Sequence, residues 1–415
     1  MAVQISDVSN ALQKVIMPYI QDNIPKQTVL LDQMKRNQGV TFMNDNFYAP
    51  IRTSRHGGIT NLANDGNSLV SGKASIGQAS VGVKIMTGTF DISKLVLDAS
   101  KTAKGAVENQ LTFQASTLAS DFARAANRQY FSDGVGVVAE VSGSVSSTAF
   151  TVVYPTASLD DGRSIDWYGT VNNDINAQKY LAPGQIIGIG TAAAAVGTIS
   201  SLGANGTVNL TGATASAAND AVYILDGSGQ GAGTSELQGI RAALSSSSGT
   251  STYAGIARTT TGWAPQLNTT SEALTLSAME STYLAAREYS QMGDRFAIFV
   301  NKTLYKKYGD ILTSLRRTVN QTDLLGGWTG LEFAAGAGQV GVFLDYDVPD
   351  GEVIILNLDT WTVCQVSDMG WLEEPNSGAL LRRRDAITYQ ATMAWFTNLI
   401  CVAPGANGRH TRKTG

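Results

Sequence analysis

The chain contains few of the residues on which catalytic and metal sites most often depend. Its 415 residues include two histidines, His56 and His410, and two cysteines, Cys364 and Cys401. One histidine lies in a polar extended segment and the other in the C-terminal tail, so a Ser-His-Asp or Cys-His arrangement would need an unusual geometry. Both cysteines lie in apolar, strand-like segments, where buried thiols are common. We therefore expect no catalytic centre, no metal and no cofactor.

Charged residues and long apolar runs are also scarce. Charged residues make up 15% of the chain, and the formal net charge is −4. Dedicated nucleic-acid-binding domains usually have a strongly basic face, which this composition disfavours. No run of about 18 apolar residues is present, because polar residues interrupt the longest candidate, residues 386–403, as on one face of a strand. Residues 1–10 lack a basic region followed by an apolar core, so we expect no secretory signal, no membrane association and synthesis in the cytoplasm.

Glycine and apolar residues are plentiful instead. The chain has 43 glycines and 43% hydrophobic residues, which is the composition of a folded, glycine-rich protein rather than a disordered one. Its length predicts about two or three domains.

The N-terminal part reads as an arm followed by an extended segment. Residues 1–38 contain short apolar groups broken by prolines, which predicts short helical pieces. Residues 39–95 are rich in Gly, Ser, Asn and Thr and predict a protruding β-hairpin that cannot form a core of its own. Between residues 41 and 90 four cations outnumber Asp45 and Asp65, and this excess would suit contact with an acidic neighbour. The cations are Arg52, Arg55, Lys73 and Lys84. The alternative is a solvated surface loop.

A long helix and a β-rich stretch follow. Within residues 96–134, apolar residues recur every three or four positions from 104 to 131, which predicts one helix about 42 Å long at ~1.5 Å per residue. Residues 135–233 contain short β-prone runs, and Asn205-Gly206 is a strong hairpin signal. We predict an inserted β-barrel or sandwich, with a flexible linker as the alternative. The flanking segments, 128–134 and 235–241, would then be continuous in space.

The C-terminal part alternates helix and strand. Residues 234–385 predict helices at 272–291 and 302–315 and strands at 296–300, 340–344 and 352–356, and residues 386–403 predict a long closing strand before a polar tail, 404–415. The glycine-rich segment 316–338 contains Trp328 and would be a subunit contact if exposed or an ordinary loop if buried.

Four further features each allow a functional and an ordinary interpretation. Residues 227–232 (GSGQGA) follow a strand-like run as a dinucleotide fingerprint does, but the all-β context disfavours that reading. Residues 345–352 hold four carboxylates, yet they miss the calcium-loop register and favour a solvated turn. The triplet Arg382, Arg383 and Arg384 and the basic tail, 409–413, are either solvated faces or contacts to phosphates or to acidic residues of a neighbour.

The order of these segments resembles the major capsid protein family of tailed phages, with the Hong Kong 97 fold. The resemblance rests on the arm, the extended loop, the long helix, the segment 292–307, where a strand ends at Asn301 before a short helix, and the closing strand at 387–402. It implies an α+β fold with an N-terminal arm, an extended loop, a spine helix, a peripheral domain and an axial domain. Residues 234–385 would be mainly axial, and 386–415 would be the peripheral strand and tail. The stretch 135–233 departs from the pattern, although some members carry an inserted β domain.

The resemblance also implies a function. It points to a structural protein that assembles as pentamers and hexamers into an icosahedral virion shell around double-stranded DNA, without sequence-specific binding. Scaffolding, portal and decoration proteins would be further partners, and the host cytoplasm would be the site of synthesis. The alternatives are an extracellular adhesive or surface-layer protein, suggested by the Gly-, Ser- and Thr-rich β stretch, and an enzyme of unknown chemistry.

Overall fold

The structure is a computed structural model that describes most of the chain. The described residues are 30, 33–36, 39–61, 71–95, 104–142, 145–153, 178, 180–190, 195–204, 206–217, 220–226, 229, 236–245, 251–291, 293–314, 321–324, 328–335, 338–349, 351–373, 380–384 and 386–414. The predicted helical pieces of the arm up to residue 29, and most of the glycine-rich motif at 227–232, lie outside these residues.

The first strands form the predicted hairpin and its base. They are β1 (Lys35–Arg36), β2 (Thr41–Met43), β3 (Asn46–Arg52), β4 (Ile76–Gly82) and β5 (Lys84–Ser93). Strands β2, β3 and β4 make a three-stranded antiparallel sheet, with Arg52 opposite Ile76 at its distal end. At its base, the cross-strand pairs Phe47–Val81 and Ala49–Ala79 are buried in the main core. The hairpin therefore rests on its own chain at the base, and only its distal part projects.

The predicted long helix is present with the predicted bounds. Helix α1 spans Lys104–Phe131, and the side chain of Tyr130 near its end meets Trp395 edge to face, with ring centroids 6.2 Å apart. Its apolar stripe packs on β5, where a Cβ added to Gly88 would come within 3.0 Å of Leu118. The absence of a side chain at Gly88 thus lets the helix lie close to the sheet.

The next strands close into a β-barrel. They are β6 (Val137–Val141), β7 (Val145–Val153), β8 (Ile186–Ile189), β9 (Ala195–Leu202), β10 (Thr207–Ser216) and β11 (Ala221–Ile224), in the closed order β10-β7-β6-β11-β8-β9. Alternate apolar residues of these strands form a core separate from the rest of the chain. Gly206 has a φ of +75° in the β9–β10 connection, where Asn205-Gly206 predicted a turn.

Most of the remaining chain alternates helix and strand. The elements are α2 (Ile240–Ala243), β12 (Thr252–Tyr253), β13 (Ile256–Ala257), β14 (Gln266–Asn268), β15 (Glu272–Ala273), α3 (Leu276–Glu288), β16 (Phe296–Val300), α4 (Lys302–Ser314), β17 (Gln321–Leu324), β18 (Trp328–Ala335), β19 (Gly338–Leu344) and β20 (Val353–Asn357). The predicted loop at 316–338 is thus largely an antiparallel strand pair, β17 and β18.

The last elements complete two large sheets. They are β21 (Trp361–Gln365), β22 (Gly370–Trp371), β23 (Leu380–Arg382), β24 (Thr388–Cys401), β25 (Gly408–His410) and β26 (Lys413–Thr414). In the six-stranded sheet, β24 pairs with β5 on one side and with β21, β22 and β23 in succession on the other. The seven-stranded sheet has the order β14-β25-β20-β16-β19-β18-β17. One of its faces packs against α3 and α4, and the other joins the main core.

Two expectations from the sequence are wrong. The tail after residue 403 is not an exposed polar tail, because β25 is inserted between β14 and β20, with Arg409 and His410 buried. Arg409, His410 and Lys413 are buried within the chain and do not form an exposed basic surface. The carboxylate run at 345–352 is not a solvated turn either, because Asp345 and Glu352 are buried. Both errors have one cause: the local sequence does not show that Arg409, Glu352 and Asp345 have buried partners elsewhere in the chain.

Candidate functional site

The distal hairpin, defined as residues 50–61 and 71–76, is the first candidate contact surface. Its described residues are mostly exposed, and they include the cations Arg52, Arg55 and Lys73 and no carboxylate. Ile59 and Ile76 are 86% and 80% exposed. Two exposed isoleucines beside three cations make this surface a candidate for contact with another protein.

Local bonds order the hairpin up to this distal part. The backbone N–H of Thr53 donates to Ser75 O at 2.9 Å, and the N–H of Ser75 donates to Ser54 Oγ at 2.9 Å. The Arg52 Nε donates to Ser54 O at 3.0 Å. These bonds extend the β3–β4 ladder by about one residue pair. They hold the backbone next to Arg52, the first cation of the distal hairpin.

A second exposed surface, the 366–373 turn, has the opposite charge. It connects β21 to β22 and continues past Trp371, and its exposed residues include Val366, Asp368, Leu372 and Glu373. Val366 and Leu372 are 49% and 43% exposed. Asp368 accepts from Gln365 Nε2 at 2.6 Å and lies 3.8 Å from Arg36 Nη1, but its side chain is 82% exposed. The turn was not predicted to be a contact surface. The signal available in the sequence was a pair of carboxylates close to two apolar residues.

The other predicted contact residues lie elsewhere. Lys84 begins β5 opposite Thr397 and is half-buried, and burial lowers its pKa. Arg382, Arg383 and Arg384 lie at the edge of the six-stranded sheet, where Arg383 Nη1 is 3.2 Å from Asp91 Oδ2 of β5. Trp328 begins β18, and its side chain lies outside the described part of the structure. The structure therefore groups Arg52, Arg55 and Lys73 on one surface and does not bring all eight predicted residues together.

The barrel is joined to the rest of the chain by a polar junction. Asn127 Nδ2, on α1, donates to Asp347 Oδ2 at 2.8 Å and to Asp345 Oδ1 at 3.2 Å, while Tyr180 Oη, next to β8, donates to Asp347 Oδ1 at 2.8 Å. The guanidinium of Arg128 lies over the Tyr180 ring, 5.4 Å from its centroid. One junction thus connects α1, the barrel and the end of β19.

An ion pair at the same junction joins the two flanks of the barrel. Arg128, on α1, forms a two-pronged pair with Glu236, after the barrel, and the backbone N–H of Arg241 donates to Ser132 O at 3.2 Å. Burial lowers the pKa of Arg128, but Glu236, Tyr180 and Asp347 together outweigh burial, so the pKa is raised. The segments predicted to be continuous in space, 128–134 and 235–241, are in contact.

Of the residues with potential chemical reactivity, both cysteines and His410 are buried, and His56 is exposed. Burial raises the pKa of Cys364 and of Cys401 to about 12, so neither thiol is a ready nucleophile at neutral pH. His410 Nε2 contacts Thr282 Oγ1 at 2.8 Å, whereas His56 is exposed on the distal hairpin. Within the described ranges, no group of three or more His, Cys, Asp or Glu residues could hold a metal ion. No helix among those described is long and apolar enough to cross a membrane.

Comparison with known proteins identifies the fold. No family model and no curated protein matches the sequence. A chain of the cyanophage A-1(L) capsid matches with a TM-score of 0.53 and 14% identity over 93% of both chains. The capsid of Myoviridae phage XM1 matches with a TM-score of 0.41 and 10% identity over 93% of this chain and 91% of that one. The SrpI encapsulin of Synechococcus elongatus PCC 7942 matches with a TM-score of 0.43 and 8% identity over 93% and 87%.

The likeness to the cyanophage chain extends over nearly all of both chains, so it covers the overall arrangement of helices and strands and not one shared motif. It agrees with the capsid-type fold predicted from the order of segments. This chain therefore has an α+β fold like that of the cyanophage A-1(L) capsid chain.

Proposed function

We propose that this protein is the major capsid protein of a tailed bacteriophage and that it assembles, as pentamers and hexamers, into an icosahedral shell around double-stranded DNA. The observation that carries the proposal is the likeness to the cyanophage capsid chain over 93% of both chains. The projecting, cationic distal hairpin supports it, because such a surface suits contact with another copy. The virion capsid would be the location, and scaffolding, portal and decoration proteins would be further partners.

The proposed division of the chain follows the predicted one. Residues 1–38 are the arm, 39–95 the extended loop, 96–134 the spine-helix segment, 135–233 an inserted β-barrel domain, 234–385 mainly the axial domain and 386–415 the peripheral strand and tail. The burial of β25 in the seven-stranded sheet changes one boundary: we assign residues 404–414 to the axial domain.

The mechanism of assembly would be the sum of many modest contacts between copies. The distal hairpin of each copy would lie across a neighbour and cover exposed apolar residues, chiefly Ile59 and Ile76. The net charge of −4 suits a container that does not hold its genome tightly, because tight DNA binding requires many lysine and arginine contacts to phosphate.

The test is electron microscopy of the protein expressed alone and together with scaffolding proteins. We expect closed shells, or rings of five and six copies. In the test variant, residues 55–74 are replaced by a short Asn-Gly turn, which leaves the Arg52–Ile76 pair at the end of the ladder in place, and the wild type is the comparison. This variant should be folded by circular dichroism and should not form shells. Dispersed wild-type monomers under every condition would contradict the proposed function.

A further inference from the structure

The seven-stranded sheet ends in two strands that have a described partner on one side only. β14 pairs with β25, and at the opposite end β17 pairs with β18. An edge strand presents a row of backbone N–H and C=O groups that another chain can pair with. Because the two edges lie at opposite ends of one sheet, they could meet only in different copies.

The β14 edge differs from an ordinary exposed edge because a groove runs beside it. The groove lies between β14 and α3 and has a volume of about 390 Å³. Its lining is polar and carries no charge; it consists of Gln266, Leu267, Asn268, Thr269, Thr270, Ser281, Thr282 and Ala285. An extended segment fits such a site, because one side can pair with the strand and the other can lie along the helix.

The backbone of β14 is oriented for this pairing. The N–H of Gln266 donates to Asn407 O at 3.0 Å, and the carbonyl of Asn268 accepts from the N–H of Thr411 at 2.9 Å. Both groups therefore point toward β25 and the chain around it. Successive residues of a strand direct their backbone groups to opposite edges, so the N–H and C=O of Leu267 point away from β25, toward the groove.

We propose that β17 of a second copy is added beside β14 in this groove, so that the seven-stranded sheets of neighbouring copies join around a ring. This inference rests on the proposed function and specifies one contact of the assembly. β14 has three residues and β17 has four, so the two edges are similar in length. The sequence of β17, Gln-Thr-Asp-Leu, is polar like the groove.

The geometry also explains why the contact would give a ring. A contact between two different surfaces of the same molecule is heterologous, and its repetition closes a ring when the rotation between copies fits. A pair of β14 edges, or of β17 edges, would instead stop at a dimer. The β14–β17 combination uses both described edges of this sheet with one repeated contact, whereas homotypic pairs would need two different contacts.

The first test is Leu267→Pro, with Leu267→Val as the matched control. Proline lacks an N–H and is tolerated on an edge strand whose N–H faces outward, so the fold should be retained. Native mass spectrometry and sedimentation should show at least a tenfold smaller fraction of five- and six-membered rings for Leu267→Pro. Leu267→Val retains the N–H and should form rings as the wild type does.

A second pair of variants covers the case in which Leu267→Pro does not fold. Ser281→Arg places a long cationic side chain in the groove, whereas Ser277→Arg makes the same change one turn earlier on α3, at an exposed position outside the lining. We expect Ser281→Arg to reduce the ring fraction and Ser277→Arg to leave it unchanged. Wild-type ring formation by folded Leu267→Pro, or by Ser281→Arg, overturns the sheet-joining contact and leaves the proposed function intact. A wild-type chain that forms neither rings nor shells overturns both.

Discussion

Arg409 and Glu352 form a two-pronged ion pair that is enclosed by the seven-stranded sheet and the main core. Arg409 Nη2 donates to Glu352 Oε1 at 2.6 Å, and Arg409 Nε donates to Oε2 at 3.2 Å. Arg241 Nε lies 3.6 Å from the same Oε1, and burial lowers the pKa of Arg241 to about 10 although Glu352 opposes this effect. One carboxylate thus holds two buried guanidinium groups, one of them on the final strand β25.

We expect Glu352→Gln to destabilise the protein strongly. Removing one partner of a buried ion pair leaves the opposite charge uncompensated, which typically costs about 3–5 kcal/mol. The free energy of unfolding, measured by urea denaturation, should fall by about that amount. The control is Asp91→Asn, which removes the exposed pair with Arg383 and should cost about 1 kcal/mol or less. Equal effects of the two changes would contradict this account of the core.

The sequence predicted the elements that depend on local pattern. The apolar stripe of α1 and the alternation of β24 are periodic patterns, and β16 is a short, wholly apolar run. Each element lies close to its predicted bounds. The glycine-rich segment 316–338 was predicted to be a subunit contact if exposed or an ordinary loop if buried. It is largely the strand pair β17 and β18, because the pairing of β18 with β19 overrides the local preference of its glycines.

The errors concern long-range partners. The sequence near Arg409 does not indicate that Glu352 and Arg241 lie around it in the core. The sequence near Asp345 likewise does not indicate its hydrogen bond with Asn127. Among the proposed contact surfaces, the distal hairpin was predicted to be cationic, and its described residues are mostly exposed. Charge alone could not show that Arg383 already pairs with Asp91 of its own chain.

Gly239 marks the place where the chain returns from the barrel to the end of α1. A Cβ at this position would lie 2.3 Å from Gln129 O and 2.5 Å from Ser132 O, and these backbone atoms cannot move aside easily. We expect Gly239→Ala to lower the thermal midpoint markedly. Gly309→Ala, on α4, where a Cβ meets nothing within 4 Å, should keep or raise it, because alanine favours a helix by about 1 kcal/mol over glycine. A Gly239→Ala protein as stable as the wild type would show that the backbone can separate here.

His410 should make the protein sensitive to acid. Burial lowers the pKa of His410 to about 4, and the nearby cation Lys413 acts in the same direction while Glu272 opposes it. Because the unfolded state binds a proton near pH 6.5 and the folded state only near 4, stability is full above about pH 6.5 and falls as the pH decreases toward 4. At ~1.4 kcal/mol per pKa unit, the loss attributable to this group is about 3 kcal/mol.

The measurement is the free energy of unfolding from pH 7 to 4 for the wild type and for His410→Gln, whose amide can still reach Thr282. We expect the variant to be less stable at pH 7 and to lose less stability on acidification. Parallel pH curves for the two proteins would show that other groups cause the acid sensitivity.

The distal hairpin and the 366–373 turn have the complementarity of two contact surfaces. The hairpin combines Arg52 and Arg55 with exposed isoleucines, and the turn combines Asp368 and Glu373 with exposed Val366 and Leu372. Under the proposed function, we predict that the hairpin of one copy docks on the turn of another. Like charges placed opposite each other disfavour such a contact strongly. Arg52→Glu with Arg55→Glu should therefore abolish shells, and Asp368→Lys with Glu373→Lys should do the same.

The decisive measurement is the combination of the four changes in one chain. The charges are then exchanged and attract again, so shells should reappear in sedimentation and electron microscopy, while each double variant alone yields folded, unassembled protein. Lys302→Glu with Lys306→Glu is the matched control, because it changes the charge by the same amount at two exposed positions of α4, outside both surfaces and outside the predicted contact residues. The exchange returns the chain to its wild-type net charge of −4, so restored shells alone could reflect net charge. Asp368→Lys and Glu373→Lys combined with Lys302→Glu and Lys306→Glu have the same net charge without complementary surfaces, and restoration by the exchange but not by this combination requires the two surfaces to meet. If the four-fold variant stays unassembled while the control assembles, the hairpin docks on a different surface.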